Sequence, residues 1–169
     1  MDAMEAILGR RSIRKYTDKP VSENLLRELL TAAMAAPSAG NQQPWQFIVI
    51  DERRILDAIT EFHPYAGALK QAPVAIAVCG DIARQKWEGF WVQDCSAAIE
   101  NLLVAAHAKG LGTVWLGVHP VGDRSSGLRK LLKLPETIIP LAVIALGYPA
   151  EHKEPVNRYD SSRIHRNEW

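Results

Sequence analysis

Residues 91–109 constrain this chain most, because they have the composition of one long helix that is apolar nearly all round. One face carries the larger apolar side chains, Val92, Cys95, Ile99, Leu102, Leu103 and Ala106. Most of the remaining surface is also apolar, with Ala97, Ala98, Val104, Ala105 and Ala108. Only a narrow polar stripe interrupts it, at Gln93, Asp94, Glu100, Asn101 and His107. Such a helix must be buried on most sides, so we expect a second copy of this 169-residue chain to cover part of it.

Segments of helical and extended period on either side of this helix predict an α+β fold, with a mixed, mainly antiparallel sheet layered with helices. The other helices are expected at residues 1–9, 23–36, 53–62 and 124–132. Strands are expected at residues 46–50, 74–79, 113–118 and 141–147. Several connections are too short for the right-handed crossovers that parallel strands require. Residues 1–169 are therefore predicted to form one domain.

The last segment, residues 148–169, is polar but carries two apolar anchors near its end, Ile164 and Trp169. A polar tail with such anchors usually packs on another surface. We expect it to wrap around the partner subunit of a homodimer.

The charge balance gives no field that would steer the protein toward nucleic acid or anionic lipid, because 20 basic residues face 19 acidic ones and the net charge is +1. Residues 1–11 mix acidic and basic side chains, unlike a signal peptide. The longest apolar run, residues 138–146, is too short to span a bilayer. We therefore expect a cytoplasmic protein with neither nucleic-acid nor membrane partners.

The usual catalytic signatures are missing from the chain. Gly110 and Gly112 lack the third glycine of a dinucleotide-binding fingerprint and lead into a strand. There is no Walker loop, CxxC, HExxH or GxSxG motif. The five histidines are scattered, so no metal site is expected. Cys79 and Cys95 lie in apolar segments, which favours buried free thiols over a disulfide or a redox pair.

Residues 10–14, here called the basic turn, read Arg10-Arg11-Ser12-Ile13-Arg14. Three guanidinium groups and one hydroxyl are able to bind a phosphate and leave one guanidinium group for a second anionic group. Composition alone favours the plainer alternative, a solvated basic turn.

Residues 37–45, here called the amide loop, read Pro37-Ser38-Ala39-Gly40-Asn41-Gln42-Gln43-Pro44-Trp45. Their amide and hydroxyl groups suit the polar edge of a heterocycle such as an isoalloxazine or a pterin. An ordinary helix-to-strand connection is the plainer interpretation. A third segment, residues 110–117, reads GLGTVWLG, and the glycine at its end allows the backbone to approach a ligand ring closely.

The three segments together are more specific than any one of them. An RRSxR near the start, a following PSxxNxQPW and a GLGTxWLG after a long Ala/Leu-rich helix resemble the nitroreductase family of FMN enzymes. The resemblance covers essentially the whole chain and includes the tail at residues 157–169.

That resemblance implies an intertwined homodimer that binds two FMN molecules at the subunit interface. Arg10 and Ser12 would contact the phosphate and ribityl chain, with Arg11 beside them. The amide loop would reach the flavin from the other subunit, and the end of residues 110–117 would pass the ring near N5. Arg14 would lie near the flavin N1–O2 edge, and the tail would give a second phosphate ligand. The implied cofactor contacts are Arg10, Arg11, Ser12, Arg14, Pro37, Ser38, Ala39, Asn41, Gln43, Trp115, Leu116, Gly117 and Arg158.

The resemblance also implies an enzyme that passes hydride from NAD(P)H through bound FMN to a small oxidised acceptor, such as a nitroaromatic or a quinone, by a ping-pong mechanism. No protein acid or base is then required, because the cofactor carries the chemistry. Two alternatives stay open. One is a non-catalytic FMN-binding or regulatory module, and the other is a specialised flavin enzyme of the same fold, such as a reductive dehalogenase.

Two regions depart from the longer members of that family. The chain has no room for a large helical insertion over the active site, and residues 63–71 do not clearly reproduce the Asn and Lys that hold the pyrimidine edge. Lys70 is the candidate substitute in that segment. Trp87, Phe90 and Trp91 fall where a substrate pocket wall would form, although core packing is the favoured role for them.

Overall fold

The structure is a computed structural model that describes residues 1–169. Its regular elements are five α-helices and four β-strands. The helices are α1 (Ala3–Gly9), α2 (Glu23–Met34), α3 (Arg53–Phe62), α4 (Trp91–Ala108) and α5 (Gly122–Leu132). The strands are β1 (Trp45–Ile50), β2 (Val74–Asp81), β3 (Gly112–Gly117) and β4 (Ile138–Gly147). Short 3₁₀ turns lie at Ala39–Asn41, Gly67–Lys70, Ile82–Arg84 and Ser161–Arg163.

Side-chain caps fix where the first two helices begin. Asp2 accepts a hydrogen bond from the amide of Glu5 at 2.9 Å, and the Glu5 carboxylate accepts one from the amide of Asp2 at 3.0 Å. This reciprocal pair is a capping box. Ser22 Oγ accepts from the amide of Leu25 at 3.3 Å and so caps α2. Helix α2 ends at Met34, slightly before the expected end at residue 36.

The four strands form one sheet in the order β1-β2-β4-β3, and every neighbouring pair is antiparallel. The predicted α+β class with a mainly antiparallel sheet is confirmed. Strands β2 and β4 lie in the middle and are buried over most of their length, as their continuous apolar sequences require. Strands β1 and β3 are the two edges of the sheet, so each leaves backbone groups open on one side.

Strand β4 begins at Ile138, before the expected start at Leu141, and it includes Pro140. Pro140 lies opposite Cys79, where the register between β2 and β4 shifts. A proline, which has no amide hydrogen, is tolerated in a strand at such an irregularity. The sequence-based start of this strand is therefore wrong.

Two apolar clusters cover the two faces of the sheet. Helices α2 and α4 pack on the face to which Val74, Ile76 and Val78 point, and α3 and α5 pack on the face of Ala75 and Ala77. Successive residues of β2 therefore belong to different clusters, as the alternation of side chains along a strand requires. The layering places two helices on each side of the sheet.

Helix α4 is not fully covered by its own chain. Val104 and Ala105 are only half-buried and line a shallow groove together with Ile7 of α1. On α1, Met4, Ile7 and Leu8 are 60%, 51% and 62% exposed. This uncovered apolar surface is where the expected second copy would pack. No helix of the chain combines the length and the apolar composition needed to cross a membrane.

The C-terminal tail has two parts. Residues 148–154 run back along residues 11–17 of the same chain, and the amide of Ala150 donates to the carbonyl of Lys15 at 2.9 Å. Residues 155–169 are exposed throughout, and their hydrogen bonds stay within that segment. The prediction that residues 148–169 wrap around a partner is therefore wrong for residues 148–154, which pack on their own chain, and it stays a prediction for residues 155–169, here called the free tail.

Candidate functional site

Strand β3 places the basic turn at an open edge of the sheet. Ser12 pairs with Thr113 in a parallel bridge, and the amide of Ile13 donates to the carbonyl of Thr113 at 2.8 Å. The approach is close because β3 begins with Gly112, where a Cβ would lie 2.7 Å from the Ile13 side chain. The backbone of the basic turn is thus fixed against the sheet, and the plainer alternative, a solvated turn, describes only the exposed Arg14 side chain.

Two guanidinium nitrogens of the basic turn are buried without a hydrogen-bond partner, Arg10 Nε and Arg11 Nη2. Arg10 Nε lies 3.3 Å from Glu100 of α4, but the two groups are not aligned for a hydrogen bond. The other two nitrogens of Arg11 donate to the backbone carbonyls of Glu154 at 3.0 Å and of Arg10 at 2.5 Å. Buried cationic donors without an acceptor are costly. These two nitrogens therefore have hydrogen-bonding capacity left for an anion, and Arg11 Nη2 has no charged partner in the chain.

A cavity of about 310 Å³ opens beside the Arg11 side chain. The end of α1, the connection between α4 and β3 at Gly110 and Leu111, and the tail segment at residues 149–155 form its wall. Two cationic side chains, Arg11 and Lys153, and one carboxylate, Glu151, line it. Lys153 Nζ also donates to the carbonyl of Ser12 at 2.8 Å, which ties the tail to the basic turn. The balance of charge in the wall suits a phosphate-bearing ligand.

The charges around this cavity shift the pKa values of two lining residues. Burial lowers the pKa of His107, and the positive charges of Arg10 and Arg11 lower it further. The pKa of Glu151 is lowered chiefly by the hydrogen bond from the backbone amide of Arg14, which measures 2.5 Å. His107 is therefore neutral and Glu151 charged near pH 7. The Arg14 side chain itself is exposed.

The C-terminal end of β3 carries Trp115, Leu116 and Gly117 along the same edge of the sheet. The carbonyl of Gly117 accepts a hydrogen bond from Arg124 Nη1 at 3.0 Å and lies 2.8 Å from His63 Nε2. Sequence reasoning did not single out either side chain. His63 and Gly117 are 54 positions apart, and only the fold brings them together.

The amide loop is anchored by a buried carboxylate on α4. Asp94 Oδ1 accepts from the amide of Ala39 at 2.8 Å, and Asp94 Oδ2 accepts from Gln42 Nε2 at 2.6 Å. Gln42 Oε1 accepts in turn from the amides of Lys86 and Trp87, at 2.7 and 3.2 Å. Asp94 appears in the sequence only as part of a polar helix stripe, and Gln42 only as one amide among several. Their structural role was therefore missed.

The outer part of the amide loop is exposed and has an unusual backbone. Gly40, Asn41 and Gln43 have φ values of 52°, 53° and 46°, in the left-handed region. The amide of Gln43 donates to Ser38 Oγ at 3.0 Å, and Gln43 Nε2 donates to Asn41 Oδ1 at 2.7 Å. Gly40 also lies against Trp87, since a Cβ there would be 2.8 Å from Trp87 Nε1. The loop thus presents Asn41 and Gln43 outward in a fixed arrangement.

One chain does not bring the amide loop and the basic turn together. The amide loop leads into β1 and the basic turn pairs with β3, and these strands are the opposite edges of the sheet. Three strand spacings, about 14 Å, separate two such edges. Arg158 is exposed in the free tail and makes no bond to the basic turn.

The remaining candidates fall in different places. Lys70 is exposed at the end of a 3₁₀ turn. Trp91, the first residue of α4, is buried in the core and meets His119 edge-on, with ring centroids 5.0 Å apart. The core-packing interpretation is right for Trp91 but wrong for Trp87 and Phe90, which are 59% and 47% exposed.

The two cysteines have no part in this site. Cys79 and Cys95 are buried and unbridged, and Cys95 Sγ lies 3.5 Å from the carbonyl of Cys79. Burial raises the pKa of each thiol to about 12. Thiols with such pKa values stay protonated and unreactive at neutral pH.

The geometry defines an α+β protein with a cavity lined by cationic side chains at one sheet edge. Comparison with known sequences then makes the assignment specific. The chain belongs to the nitroreductase family, because the profile described as "Nitroreductase family" matches residues 7–66 and 61–148.

Relatives of known sequence or structure agree with this assignment. A Methanothermobacter thermautotrophicus protein named "Putative NADH dehydrogenase/NAD(P)H nitroreductase" is 53% identical, over 100% of this chain and 88% of that protein. The crystal structure of a protein of the same name from Parabacteroides distasonis has a TM-score of 0.95 and 46% identity, over 99% of this chain and 98% of that one. A relative from Desulfovibrio desulfuricans, solved in complex with FMN, has a TM-score of 0.85 and 32% identity, over 100% and 98% of the two chains.

Proposed function

We propose that this chain is an FMN-dependent oxidoreductase that passes hydride from NAD(P)H to a small oxidised acceptor. The observation that carries the proposal is the pair of buried nitrogens without a hydrogen bond, Arg10 Nε and Arg11 Nη2. A phosphate monoester supplies several anionic oxygens to such donors. The FMN complex of the Desulfovibrio relative supports FMN as the phosphate-bearing ligand.

The basic turn binds the polar end of the cofactor in this proposal. Arg10, Arg11 and Ser12 hold the phosphate and ribityl chain, and Arg158 reaches the phosphate from the free tail. Arg14 directs its exposed guanidinium to the N1–O2 edge of the flavin. Because two-electron reduction leaves negative charge at that edge, a cation there favours the reduced cofactor.

The open edge of β3 borders the flavin ring through Trp115, Leu116 and Gly117. Bound FMN supplies the hydride-transfer chemistry, so the chain needs no acid or base of its own. The task of the protein is to hold the ring at this edge and leave one face accessible. NAD(P)H and the acceptor use that face in turn, which gives ping-pong kinetics.

The proposed enzyme is a homodimer with composite sites. The amide loop and the basic turn lie at opposite sheet edges, so a second protomer is needed to bring one of each together. The exposed apolar side of α1 and the free tail supply surface for this association; the exposed apolar residues of the free tail are Val156, Tyr159, Ile164 and Trp169. The partner subunit contributes its amide loop to each site, through Pro37, Ser38, Ala39, Asn41 and Gln43.

The acceptor is a small oxidised molecule such as a nitroaromatic or a quinone. Trp87 and Phe90 are exposed beside the amide loop and are available to contact an aromatic acceptor. We place the enzyme in the cytoplasm, where NAD(P)H is supplied.

The test is the visible absorption spectrum of the purified protein, followed by anaerobic addition of NADH or NADPH. We expect a flavin spectrum that bleaches with one nucleotide and returns when a nitroaromatic or a quinone is added. Protein that is colourless and does not take up FMN would contradict the proposal. Bound flavin that no acceptor reoxidises after chemical reduction would favour the non-catalytic FMN-binding module, and reoxidation by halogenated acceptors alone would favour the reductive dehalogenase.

A further inference from the structure

The carbonyl oxygen of Gly117 receives hydrogen bonds from two side chains on two different elements. His63, which caps the C-terminal end of α3, places Nε2 2.8 Å from this oxygen. Arg124 of α5 donates to it through Nη1 at 3.0 Å. A carbonyl oxygen has two lone pairs, so these two donors occupy both. We call His63 and Arg124 the carbonyl clamp.

The hydrogen bonds of His63 determine which of its nitrogens carries the proton. The amide of Tyr65 donates to Nδ1 at 3.3 Å, so Nδ1 is the acceptor and Nε2 carries the hydrogen that Gly117 accepts. Burial lowers the pKa of His63, the bond to Gly117 partly offsets this, and the charge of Arg124 lowers it again. His63 is 1% exposed and therefore a neutral donor in a fixed orientation near pH 7.

The carbonyl clamp occupies the Gly117 end of the open edge of β3. At the other end, the carbonyl of Thr113 accepts from the basic turn. Backbone groups of a strand face its two sides alternately, so Thr113, Trp115 and Gly117 all turn away from β4. The stretch left between the basic turn and the clamp is residues 115–117, the same stretch that borders the flavin in the proposed function.

This inference rests on the proposed function. We propose that His63 and Arg124 are positioning residues, which bind the carbonyl of Gly117 so that the N–H of Gly117, and not its C=O, is offered to the flavin ring. An oxidised ring nitrogen accepts a hydrogen bond from an N–H, whereas a reduced ring carries a hydrogen that a free C=O would accept. By occupying the carbonyl, the clamp keeps the reduced cofactor from gaining that bond. The clamp therefore sets the midpoint potential without touching the reacting atoms.

Substitutions at His63 separate this role from packing. His63→Phe keeps a ring in the cavity but frees one lone pair of Gly117, and His63→Gln restores a donor at the position of Nε2. Ile59→Val removes one methyl group from the apolar cluster one helical turn before His63 and leaves the hydrogen bond intact. In the full-length, FMN-loaded protein, we expect His63→Phe to raise the midpoint potential of the flavin. The rise should correspond to an increase of about fivefold in the affinity for reduced FMN relative to oxidised FMN, which is the contribution of one neutral hydrogen bond. His63→Gln and Ile59→Val should keep the wild-type potential.

The carbonyl itself gives a readout that does not depend on FMN. The ¹³C resonance of the Gly117 carbonyl should move upfield in His63→Phe and in Arg124→Met, because each substitution removes one hydrogen bond. If His63→Phe does not fold, His63→Asn is the substitute variant, because the shorter asparagine amide does not reach the position of Nε2. His63→Gln is then its control, because the longer glutamine amide does reach that position.

The outcomes separate the inference from the proposed function. A moved carbonyl resonance with an unchanged potential overturns the positioning role and leaves the proposed oxidoreductase intact. An unmoved resonance in both variants shows that the clamp is absent in solution and overturns the inference as well. A wild-type protein that binds no FMN overturns the proposed function and this inference together.

Discussion

The amide loop and the basic turn are both polar segments beside an edge strand, but they differ in how many of their hydrogen-bonding groups have partners within the chain. In the amide loop, the buried Asp94 carboxylate accepts two hydrogen bonds, and the Gln42 side chain carries the network on to two further amides. In the basic turn, Arg10 Nε and Arg11 Nη2 are buried and make no hydrogen bond, although Arg10 Nε forms an ion pair with Glu100 at 3.3 Å. The hydrogen bonds of one segment are complete within the chain, and the other has two donors left without an acceptor.

This difference assigns a separate task to each segment. Hydrogen bonds that are satisfied within the chain make the amide loop rigid before a ligand arrives, so it can present Asn41 and Gln43 at a low entropic cost. Cationic donors buried without a partner gain free energy only when an anion binds. We therefore expect changes in the amide loop to reduce the stability of the fold, and changes in the basic turn to reduce the affinity for FMN.

The largest effect is expected from Asp94→Asn. The asparagine keeps one acceptor oxygen but turns an NH₂ group toward a donor, and it removes a negative charge from the first turn of α4. The free energy of unfolding should fall by about 3 kcal/mol, the cost of leaving a buried donor unpaired and losing charge-assisted bonds. Urea denaturation measures it, with Asp18→Asn, an exposed carboxylate, as the matched control. A loss no larger than that of the control would refute the anchoring role of Asp94.

Arg10→Ala should give the opposite pattern. FMN affinity should fall about 10- to 100-fold, since a charge-assisted hydrogen bond contributes about 1.5–3 kcal/mol. The stability of the protein without FMN should change little, because Arg10 Nε makes no hydrogen bond and its ion pair with the half-exposed Glu100 contributes about 1 kcal/mol at most. Quenching of flavin fluorescence measures the affinity, and Arg54→Ala, which changes an exposed arginine of α3, is the control. Unchanged FMN affinity would remove Arg10 from the proposed site.

The same contrast explains which parts of the molecule could be predicted from the sequence. The fold class followed from the apolar circumference of α4 and the apolar runs of β2 and β4, which are properties of continuous segments. The basic turn and the amide loop were also visible, because their polar residues are neighbours in the chain. Asp94, Gln42 and His63 were missed because each is a single polar residue whose partners lie more than 40 positions away. The boundary at Pro140 failed for the same reason, since the bulge that accommodates it involves another strand.

Gly40→Ala tests the amide loop more mildly. Gly40 has φ 52°, and an alanine in this left-handed conformation costs about 1 kcal/mol. The added Cβ would also meet Trp87 Nε1 at 2.8 Å, although this exposed side chain is free to move away. Gly67→Ala is the matched control, because no atom lies within 4 Å of the position of its added Cβ. Thermal or urea unfolding should show the loss only for Gly40→Ala, and equal behaviour of the two variants would argue against a constrained loop.

The smallest effect concerns His107, which lies beside the basic turn and reports its charge. Its pKa is lowered by burial and then by Arg10 and Arg11, so the folded protein takes up a proton at His107 less readily than the unfolded chain does. The stability that depends on neutral His107 is therefore complete above the unfolded pKa of about 6.5 and is lost as the pH falls below it. An NMR titration of the imidazole measures this pKa directly.

A bound phosphate would offset the two positive charges that act on His107. FMN should therefore raise the pKa of His107 toward its ordinary value, and Arg10→Ala should raise it in the protein without FMN. Gly40→Ala should leave this pKa unchanged, because the amide loop lies at the opposite sheet edge. By linkage, FMN should then bind slightly more tightly as the pH is lowered through this range. If FMN binds and the pKa of His107 does not move, the phosphate is not bound at the basic turn. The assignment of ligand binding to the basic turn and of stability to the amide loop would then be wrong for the basic turn.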